Sequence, residues 1–317
     1  MEVLIADGMS DDGTREIIQS MVDRDQRVRL IDNPRRITPT GLNFAIGSAR
    51  GQIIVRMDAH TEYAKDYVLR CVETLQQTGA DNVGGPARTK ASGYVQRAVA
   101  AAHHCPFSTG GARFHHTDYE GEVDTVFYGC WYKQKLVEVG LFDEELVRNQ
   151  DDELNYRIKK SGGRLWQSLR IRCWYSPRAS LAGLFKQYLQ YGYWKVRVIQ
   201  KHGQPASWRH LVPVAFVLGL STGWLAGFVV PALWLVYAIA ILGYASLSFA
   251  YSTRTSAVAG WDILPILPIV FFVYHLSYGV GFAAGLVKFC VLHSHGRRAK
   301  EAPVGQSSPQ GNLTTAA

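Results

Sequence analysis

Residues 52–60 read Gln-Ile-Ile-Val-Arg-Met-Asp-Ala-His, and this stretch decides the fold. The run from Gln52 to Val55 predicts a short buried β-strand. Asp58 and His60 follow it, and their side chains point to one side of an extended backbone about 6 to 7 Å apart. Ligands of open α/β sheets collect at the carboxyl ends of strands, so the pair predicts a site for one divalent cation. An isolated Asp-x-His is also typical of a solvated strand end.

The first 60 residues alternate between strand and helix patterns. Two segments with helical spacing separate three apolar runs, which lie at residues 3–6, 28–31 and 52–55. This alternation is typical of an α/β fold with a parallel sheet, and we expect that class. Asp7 directly follows the first strand, where a carboxylate can accept hydrogen bonds from a nucleoside. Arg36 lies beyond the second strand, where a guanidinium can meet a phosphate or remain a solvated surface charge.

Two long apolar stretches dominate the last third of the chain. Residues 212–251 contain no Asp, Glu, Lys, Arg or His, and residues 263–287 contain one such residue, His275. A membrane-spanning helix needs about 20 predominantly apolar residues. The first stretch therefore predicts two helices with a tight turn near residues 227–231, and the second stretch predicts one more helix.

These stretches divide the chain into three parts. We expect an N-terminal domain over residues 1–205, a membrane domain with two to three helical spans over 206–295, and a basic, then disordered tail over 296–317. Three crossings would place the basic cluster at 297–300 outside, against the positive-inside tendency. One segment is therefore expected to be re-entrant or interfacial.

Charge and cysteine content narrow the class further. The net charge of +8 comes from basic residues that are scattered over the N-terminal domain and clustered again after the apolar spans. This distribution is typical of a cytoplasmic membrane surface, and without a nucleic-acid-binding motif we expect no nucleic-acid partner. The 5 cysteines are widely spaced, which predicts reduced core thiols. The N-terminus shows no signal-peptide pattern.

A second informative stretch is Gln-Asp-Asp-Glu at residues 150–153. Asn149 can cap a helix that begins here, and acidic residues in the first turn suit the helix dipole. That placement explains the acids without catalysis. The functional interpretation is that one of these carboxylates faces a site and acts as a general base.

Two more segments are candidates for substrate contact. Residues 123–128 predict a strand that ends at Gly129, whose missing side chain would let a ligand approach closely. Residues 185–195 predict an aromatic helix just before the membrane, with Gln187, Tyr191 and Trp194 on it. Such a helix is typical of the membrane interface, and aromatic faces also bind sugar rings.

Taken together, these motifs resemble the family 2 inverting glycosyltransferases, most closely the membrane-bound glucosyltransferase type of succinoglycan exopolysaccharide assembly. The motifs are Asp-Gly-x-Ser-x-Asp-Gly-Thr at 7–14, Asp-Ala-His at 58–60, Gly-Leu-Phe-Asp-Glu at 140–144, Gln-Asp-Asp-Glu-Leu at 150–154 and the segment 187–194. The resemblance covers about residues 2–295. It implies a GT-A-type, mostly parallel α/β sheet, the nucleotide-diphospho-sugar transferase fold, followed by C-terminal transmembrane helices.

The resemblance also assigns roles to single residues. Asp7 corresponds to the nucleotide-binding acid, and Arg36 is expected to approach the uracil or diphosphate. Asp58 and His60 match the Asp-x-Asp metal motif, with histidine in place of the second acid, and imply bound Mg²⁺ or Mn²⁺. Asp151 falls on the Asp of the Glu-Asp motif and is the expected catalytic base.

The remaining implications concern substrates and location. The acceptor is expected to meet Gly129, Gln187, Tyr191 and Trp194, and Gln-Tyr-Leu-Gln-Tyr at 187–191 replaces the Gln-x-x-Arg-Trp of processive synthases, which favours single additions. A nucleoside diphosphate sugar, UDP-glucose by expectation, would donate a hexose to a lipid-linked saccharide. The enzyme would be a multi-pass protein of the plasma (inner) membrane with its catalytic domain in the cytoplasm.

Family members open with an additional strand and a Pro-x-x-Asn-Glu type loop, and the resemblance implies that this chain starts after that strand. This departure motivates an alternative, a non-catalytic glycosyltransferase-like subunit of a polysaccharide assembly complex. Another alternative is a polyprenyl-phosphate sugar transferase, whose phosphate acceptor would require no strong base.

Overall fold

The computed structural model describes residues 1–205 and 207–292, so the predicted tail at 296–317 lies outside the described residues. Its strands are β1 Val3–Asp7, β2 Val28–Asp32, β3 Ile53–Val55, β4 Thr61–Tyr63, β5 Asn82–Gly85, β6 Arg88–Thr89, β7 Gly121–Glu122, β8 Phe127–Tyr132, β9 Leu165–Gln167 and β10 Cys173–Tyr175. Its helices are α1 Thr14–Arg24, α2 Thr38–Ser48, α3 Tyr67–Thr78, α4 Tyr94–His103, α5 Pro106–Thr109, α6 Lys133–Glu138, α7 Gln150–Lys160, α8 Leu181–His202, α9 Val212–Val229, α10 Leu233–Ala259 and α11 Leu267–Gly285.

Three sheets build the N-terminal domain. β1 pairs with β2, β10 lies between β4 and β6, and the central sheet has the order β3-β8-β5-β9-β7. Parallel pairing joins β1 to β2, β10 to β6 and β5 to β9. The other pairs are antiparallel, because β8 returns between β3 and β5 in the opposite direction. The expected α/β class is present, with sheets that are mixed in strand direction.

The two faces of the central sheet carry separate clusters of buried side chains. Successive residues of a strand point to opposite faces, so Cys130 and Trp131 of β8 enter different clusters. Cys130 packs with Leu75 of α3. Trp131 packs with Leu136 of α6 and Leu154 of α7. Helices thus cover both faces, and the strand ends and loops are left to supply the site.

The described cysteines agree with the predicted reduced state. All are free thiols, and those of the N-terminal domain are buried, whereas Cys290 is exposed.

In the described part of the chain, three helices are long and apolar enough to cross a membrane, namely Trp208–Val229, Leu233–Ala259 and Leu267–Cys290. The predicted hairpin is confirmed, and its turn lies at residues 230–232 between α9 and α10. The helices touch where Gly227 lies under the Trp234 ring and where Phe216 stacks on Tyr244, with ring centroids 4.6 Å apart. The chain is therefore a membrane protein whose apolar hairpin follows the α/β domain.

α8 and α11 pack with their backbones in contact. A Cβ atom at Gly192 of α8 would lie 2.0 Å from the carbonyl oxygen of Tyr278. A Cβ atom at Gly281 of α11 would likewise lie 2.0 Å from the carbonyl oxygen of Leu189. Small residues permit such close helix contacts. α11 therefore holds α8 against the N-terminal domain.

Candidate active site

A cavity of about 1340 Å³ lies between the N-terminal domain and the membrane helices. Its walls come from the loop after β3, from β8, from the start of α7, from α8 and from the membrane helices. Five of the predicted site residues line it: Asp58, His60, Asp151, Gln187 and Tyr191. The fold therefore brings the expected metal pair and the expected base to one cavity.

The segment from Arg56 to Asp58 is fixed through its backbone. The Arg56 N–H donates to the carbonyl oxygen of Gly129 at 3.1 Å, which continues the pairing of β3 with β8. The Asp58 N–H donates to the Tyr63 hydroxyl at 2.6 Å. The Tyr67 hydroxyl donates to the carbonyl oxygen of Arg56 at 3.4 Å. A rigid backbone thus sets the direction in which the Asp58 side chain points.

Arg56 is the central side chain of the site, and no role was predicted for it from the sequence. Its side chain is 5% exposed, and its guanidinium lies 5.7 Å from the centroid of the Tyr128 ring. Nε and Nη2 donate to the two carboxylate oxygens of Asp58 at 2.8 and 3.0 Å. Nη1 lies 3.0 Å from Oδ1 of Asp151. One buried cation therefore contacts both the predicted metal ligand and the predicted base.

The Asp151 carboxylate has the properties of a general base. Burial raises the pKa of this carboxyl, while the Arg56 charge opposes the rise and the Asp58 charge adds to it. Its Oδ1 atom is buried and has no well-aligned hydrogen-bond donor among the described residues, although 37% of the side chain is exposed. A carboxylate with free lone pairs in a cavity can accept a proton from a substrate hydroxyl.

The pKa of the neighbouring Asp152 is shifted in the opposite direction, to a lower value. The Lys195 ammonium donates to Oδ2 of Asp152 at 2.7 Å. Burial alone would raise the pKa of Asp152, but the charge and hydrogen bond of Lys195, together with smaller contributions from His210 and Thr125, lower that pKa below its ordinary value. Adjacent carboxyls whose pKa values are shifted apart take different roles. Asp152 is therefore held in an ion pair with Lys195, whereas Asp151 has no lysine partner among the described residues.

Asn149 precedes α7 and was expected to cap this helix. Its side chain does not do so. Its backbone is left-handed with φ 62°, and no side-chain hydrogen bond caps the first turn. Instead, Nδ2 of Asn149 donates to the carbonyl oxygen of Tyr191 in α8 at 2.8 Å. This hydrogen bond joins the start of α7, which carries Asp151, to α8.

The polar side chains of α8 form a hydrogen-bonded group on the cavity wall. Nε2 of Gln187 donates to the hydroxyls of Tyr175 at 3.2 Å and Tyr191 at 3.0 Å. Oε1 of Gln187 accepts from Nε of Arg178 at 3.3 Å. Burial raises the pKa of Tyr191 to about 12, so its hydroxyl is neutral at physiological pH. Neutral hydroxyl and amide groups of this kind suit the hydroxyls of a sugar.

Gly129 and Trp194, two predicted acceptor contacts, do not line the cavity. Gly129 lies inside β8, which begins at Phe127, so the predicted strand over 123–128 is displaced toward the C-terminus. A Cβ atom at Gly129 would lie 2.3 Å from the Trp131 ring, which gives the glycine a packing role. Trp194 turns toward the segment that follows α11, where its ring centroid is 5.9 Å from that of Phe289.

Asp7 and Arg36 also do not line the cavity. The buried Asp7 accepts hydrogen bonds from the Ser10 hydroxyl at 2.6 Å and from Nη1 of Arg15 at 2.8 Å. Burial alone would raise the pKa of Asp7, but these hydrogen bonds lower it. Arg36 is left-handed with φ 55°, and its Cα would lie 3.7 Å from a Cβ at Gly8. The loops after β1 and β2 therefore touch, which places both predicted nucleotide contacts at one edge.

Basic side chains outnumber acidic ones on the cavity wall. Among the residues that the structure describes, eight Lys and Arg residues line it against four Asp residues. Arg148 donates to the side-chain amide oxygen of Gln190, and Arg178 donates to that of Gln187. Because these amides are neutral, the two guanidinium groups keep their positive charge. Guanidinium groups that are not neutralised by carboxylates bind phosphate well. The cavity is thus suited to a polyanionic ligand such as a diphosphate.

The residues present fit a cation that arrives with a diphosphate. Within residues 1–205 and 207–292, no group of three or more His, Cys, Asp or Glu side chains is arranged to hold a metal ion. Asp58 and His60 both line the cavity, and each oxygen of Asp58 keeps a lone pair beyond the one that Arg56 occupies. Mg²⁺ is commonly bound through one or two carboxylates together with phosphates and water.

This fold and this cavity define a class of enzyme. A sequence profile described as Glycosyl transferase family 2 matches residues 1–141. The chain belongs to glycosyl transferase family 2 and is a glycosyltransferase.

Relatives narrow the class. The chain is 34% identical over 296 residues to the succinoglycan biosynthesis protein ExoA of Rhizobium meliloti (strain 1021), covering 90% of this chain and 86% of the relative. It is 26% identical, over 90% of this chain and 88% of the relative, to a dolichyl N-acetyl-α-D-glucosaminyl phosphate 3-β-D-2,3-diacetamido-2,3-dideoxy-β-D-glucuronosyltransferase of Methanococcus voltae. The mannosyltransferase PcManGT of Pyrobaculum calidifontis, solved with GDP-Man and Mn²⁺, shares the fold with a TM-score of 0.56 at 18% identity, over 87% of this chain and 77% of that chain.

Arg56 and Lys195, which contact the candidate site residues, were not predicted from the sequence. Arg56 directly follows an apolar strand and stands two residues before Asp58. A buried charge at such a position requires a partner, and this rule could have identified it. Lys195 lies in an aromatic helix far from Asp152 in sequence, and no local pattern pairs the two.

Proposed function

We propose that this glycosyltransferase moves a hexose, expected to be glucose, from a nucleoside diphosphate sugar to a lipid-linked saccharide with inversion at the anomeric carbon. UDP-glucose is the expected donor, and the product would enter an exopolysaccharide or another cell-surface glycan. The bacterial relative named for succinoglycan biosynthesis supports the pathway class. The archaeal relative, whose name gives a dolichyl-linked sugar phosphate, supports the lipid-linked acceptor. The protein would lie in the plasma (inner) membrane with its catalytic domain in the cytoplasm.

The observation that carries this proposal is the location of Asp151 in the cavity together with its raised pKa. Its carboxylate lies in the cavity that also holds Asp58 and His60, and its pKa is raised by burial. In the proposed reaction the acceptor hydroxyl gives its proton to Asp151 while its oxygen forms the bond to the anomeric carbon. The bond from that carbon to the diphosphate oxygen breaks on the opposite face, so a single displacement inverts the configuration.

The leaving diphosphate carries the charge that the other side of the cavity must stabilise. Arg148 and Arg178 supply guanidinium groups, and Asp58 and His60 would hold Mg²⁺ or Mn²⁺. When bound, such a cation neutralises the developing charge on the leaving group. The imidazole ligand shifts the preference toward Mn²⁺ compared with an all-oxygen site.

Arg56 joins the two halves of this mechanism. It orients the Asp58 carboxylate through two hydrogen bonds and lies against Asp151 through its third nitrogen. Its positive charge favours the ionised form of Asp151 and so opposes the rise in pKa that burial causes. Arg56 is therefore a positioning residue for both the metal ligand and the base.

The test measures release of nucleoside diphosphate from UDP-glucose by detergent-solubilised protein with a lipid extract, in Mn²⁺ and in EDTA. We expect turnover that depends on the metal and an inverted product by NMR. Asp151→Asn should lower kcat by about 10² to 10⁴-fold, the usual contribution of a general base. Asp124→Asn is the matched control, because this carboxylate also lines the cavity but is exposed and bound to Lys159.

Each of the other outcomes would support a different function or mechanism for this protein. A mild effect of Asp151→Asn in an active enzyme would favour a polyprenyl-phosphate acceptor, since a phosphate oxygen needs no base. Turnover with a retained anomeric configuration would contradict the single displacement. No turnover with any nucleoside diphosphate sugar would favour the non-catalytic subunit.

A further inference from the structure

The three apolar helices differ in how far the rest of the chain covers them. The protein buries 11% of the most apolar window of Trp208–Val229, 6% of that of Leu233–Ala259 and 44% of that of Leu267–Cys290. The first two helices present most of their surface outward, as membrane-spanning helices of a small protein must. The third is packed against protein along much of its length.

The beginning of α11 is bound to the N-terminal domain. Leu267 and Phe271 belong to one buried cluster with Ala98 of α4. Just before α11, Asp262 accepts hydrogen bonds from both terminal nitrogens of Arg97 at 2.7 and 3.0 Å. The chain that leaves α10 has therefore returned to the surface of the catalytic domain before α11 begins.

The far end of the same segment is bound to this domain as well. The carbonyl oxygen of Phe289 accepts from Nε2 of Gln200 in α8 at 3.1 Å. The Arg197 guanidinium lies 5.9 Å from the centroid of the Phe289 ring. Arg197 in turn donates to Glu145 of the catalytic domain at 2.6 Å. A helix with both ends on one domain cannot have them on opposite faces of a bilayer whose apolar core is about 30 Å thick.

α11 meets the membrane hairpin at the base of the hairpin. A Cβ at Gly279 would lie 2.3 Å from the carbonyl oxygen of Pro213, in the first turn of α9. His275 is hydrogen-bonded to the Tyr244 hydroxyl at 2.9 Å and, through its other nitrogen, to the carbonyl oxygen of Phe107 at 2.8 Å. These contacts place the middle of α11 across the end of the hairpin that is nearest to the catalytic domain.

We propose that α11 is an in-plane helix that rests on the leaflet next to the catalytic domain, so that the chain crosses the bilayer twice, through α9 and α10. The exposed side chains of Ile269 and Val287, at 51% and 54%, would contact the acyl chains of this leaflet.

The in-plane position of α11 determines how far the active-site cavity lies from the membrane surface. Tyr274 and Tyr278 of α11 line that cavity, so its floor lies at the level of the lipid head groups. A saccharide attached to a lipid could reach the cavity while its lipid stays in the leaflet. This consequence rests on the proposed function, whereas the two-crossing topology does not.

The first experiment labels Cys290, the exposed thiol, with a membrane-impermeant maleimide in right-side-out and inside-out vesicles from cells that express the full chain. Thr117→Cys in the catalytic domain and Ala232→Cys in the hairpin turn, each combined with Cys290→Ser, mark the two faces. We expect Cys290 to react from the same face as Thr117→Cys. Reaction from the face of Ala232→Cys would overturn the proposal, because it would require a third crossing.

A second experiment gives a result even where lipid shields Cys290 from the maleimide. Nitroxide labels at Ile269→Cys and Val287→Cys, each with Cys290→Ser, report the depth of the two ends of the apolar segment Leu267–Cys290, which contains α11, in lipid vesicles. An in-plane helix places both labels at the same shallow depth in one leaflet, while a label at Leu225→Cys in α9 lies deeper. Labels at Ile269→Cys and Val287→Cys in opposite leaflets would contradict the in-plane position. Neither experiment depends on turnover, so an inactive enzyme does not affect the result.

Discussion

The two sides of the active-site cavity are built in different ways. The side that carries Asp58 and His60 is a short loop after one strand, and His60 is exposed. The side that carries Asp151 is assembled from α7, α8 and α11, which contact one another through ion pairs and close helix packing. The cation side is thus a local feature of the sequence, whereas the base side depends on long-range packing and on the membrane segment. Arg56 is where the two sides meet.

Replacing Arg56 should have the largest effect, because it affects both sides at once. Arg56→Met leaves two carboxylates facing each other without a cation. Removal of one partner of a buried ion pair costs about 3 to 5 kcal/mol, and the partial exposure of Asp58 and Asp151 places this variant near about 3 kcal/mol. Thermal unfolding measures the loss. Arg56→Lys keeps the charge without the forked geometry and should recover part of the stability, and a fully stable Arg56→Met protein would show that the two sides are independent.

The dependence of the base side on α11 can be tested at Gly281. A methyl group there would meet the backbone of Leu189, so Gly281→Ala should destabilise the fold by about 1 to 3 kcal/mol. It should also lower kcat, because α8 carries Gln187 and Tyr191 into the cavity. Gly243→Ala is the matched control, since nothing lies within 4 Å of a Cβ at this position of α10. Equal stability of the two variants would argue against close packing of α8 on α11.

The pH profile should separate the two sides by chemistry. Protonation of Asp151 abolishes its ability to accept a proton, and its pKa is raised, so kcat/KM should fall with decreasing pH at a higher pH than an ordinary aspartate would give. Arg56→Gln removes the charge that opposes the rise, and the acidic limb should then move to still higher pH. An acidic limb that stays in place in Arg56→Gln would assign it to another group.

His60 should give the smallest effect on the fold. It is an exposed side chain, so His60→Ala should change the free energy of unfolding by less than about 0.5 kcal/mol. We expect instead a weaker dependence of activity on Mn²⁺, because one proposed ligand is lost. Titration of activity with Mn²⁺ and with Mg²⁺ measures the change. Unaltered curves for both ions would remove His60 from the proposed metal site.

Features that depend on local chemistry could be predicted from the sequence. The strand before Asp58 and the turn of the membrane hairpin follow from apolar runs and from turn residues. α7 begins directly after Asn149 as predicted, although the Asn149 side chain does not cap it. The juxtaposition of Asp58 with Asp151 was implied by family resemblance, and both line one cavity.

Features that depend on which face a residue presents could not be predicted in this way. Gly129 was expected to admit a ligand, but a small shift in the limits of β8 turns the position toward Trp131. The position of α11 is a similar case, because its apolar composition satisfies both a membrane crossing and a groove between protein helices. Only the tertiary contacts distinguish the two.

The unequal lengths of the two hairpin helices have a physical consequence. α9 has 18 residues and α10 has 27, which correspond to about 27 and 40 Å at about 1.5 Å per residue. The shorter helix matches a hydrocarbon core of about 30 Å, and the longer one extends beyond it, where Tyr251 stacks on Phe107 of the cavity wall at 5.1 Å. α10 therefore connects the hydrocarbon core of the bilayer to the wall of the active-site cavity. With α9 and α10 crossing the bilayer as proposed, a thicker hydrocarbon core would extend toward the helical turn that carries Tyr251, and we expect the shape of the cavity to respond to membrane thickness.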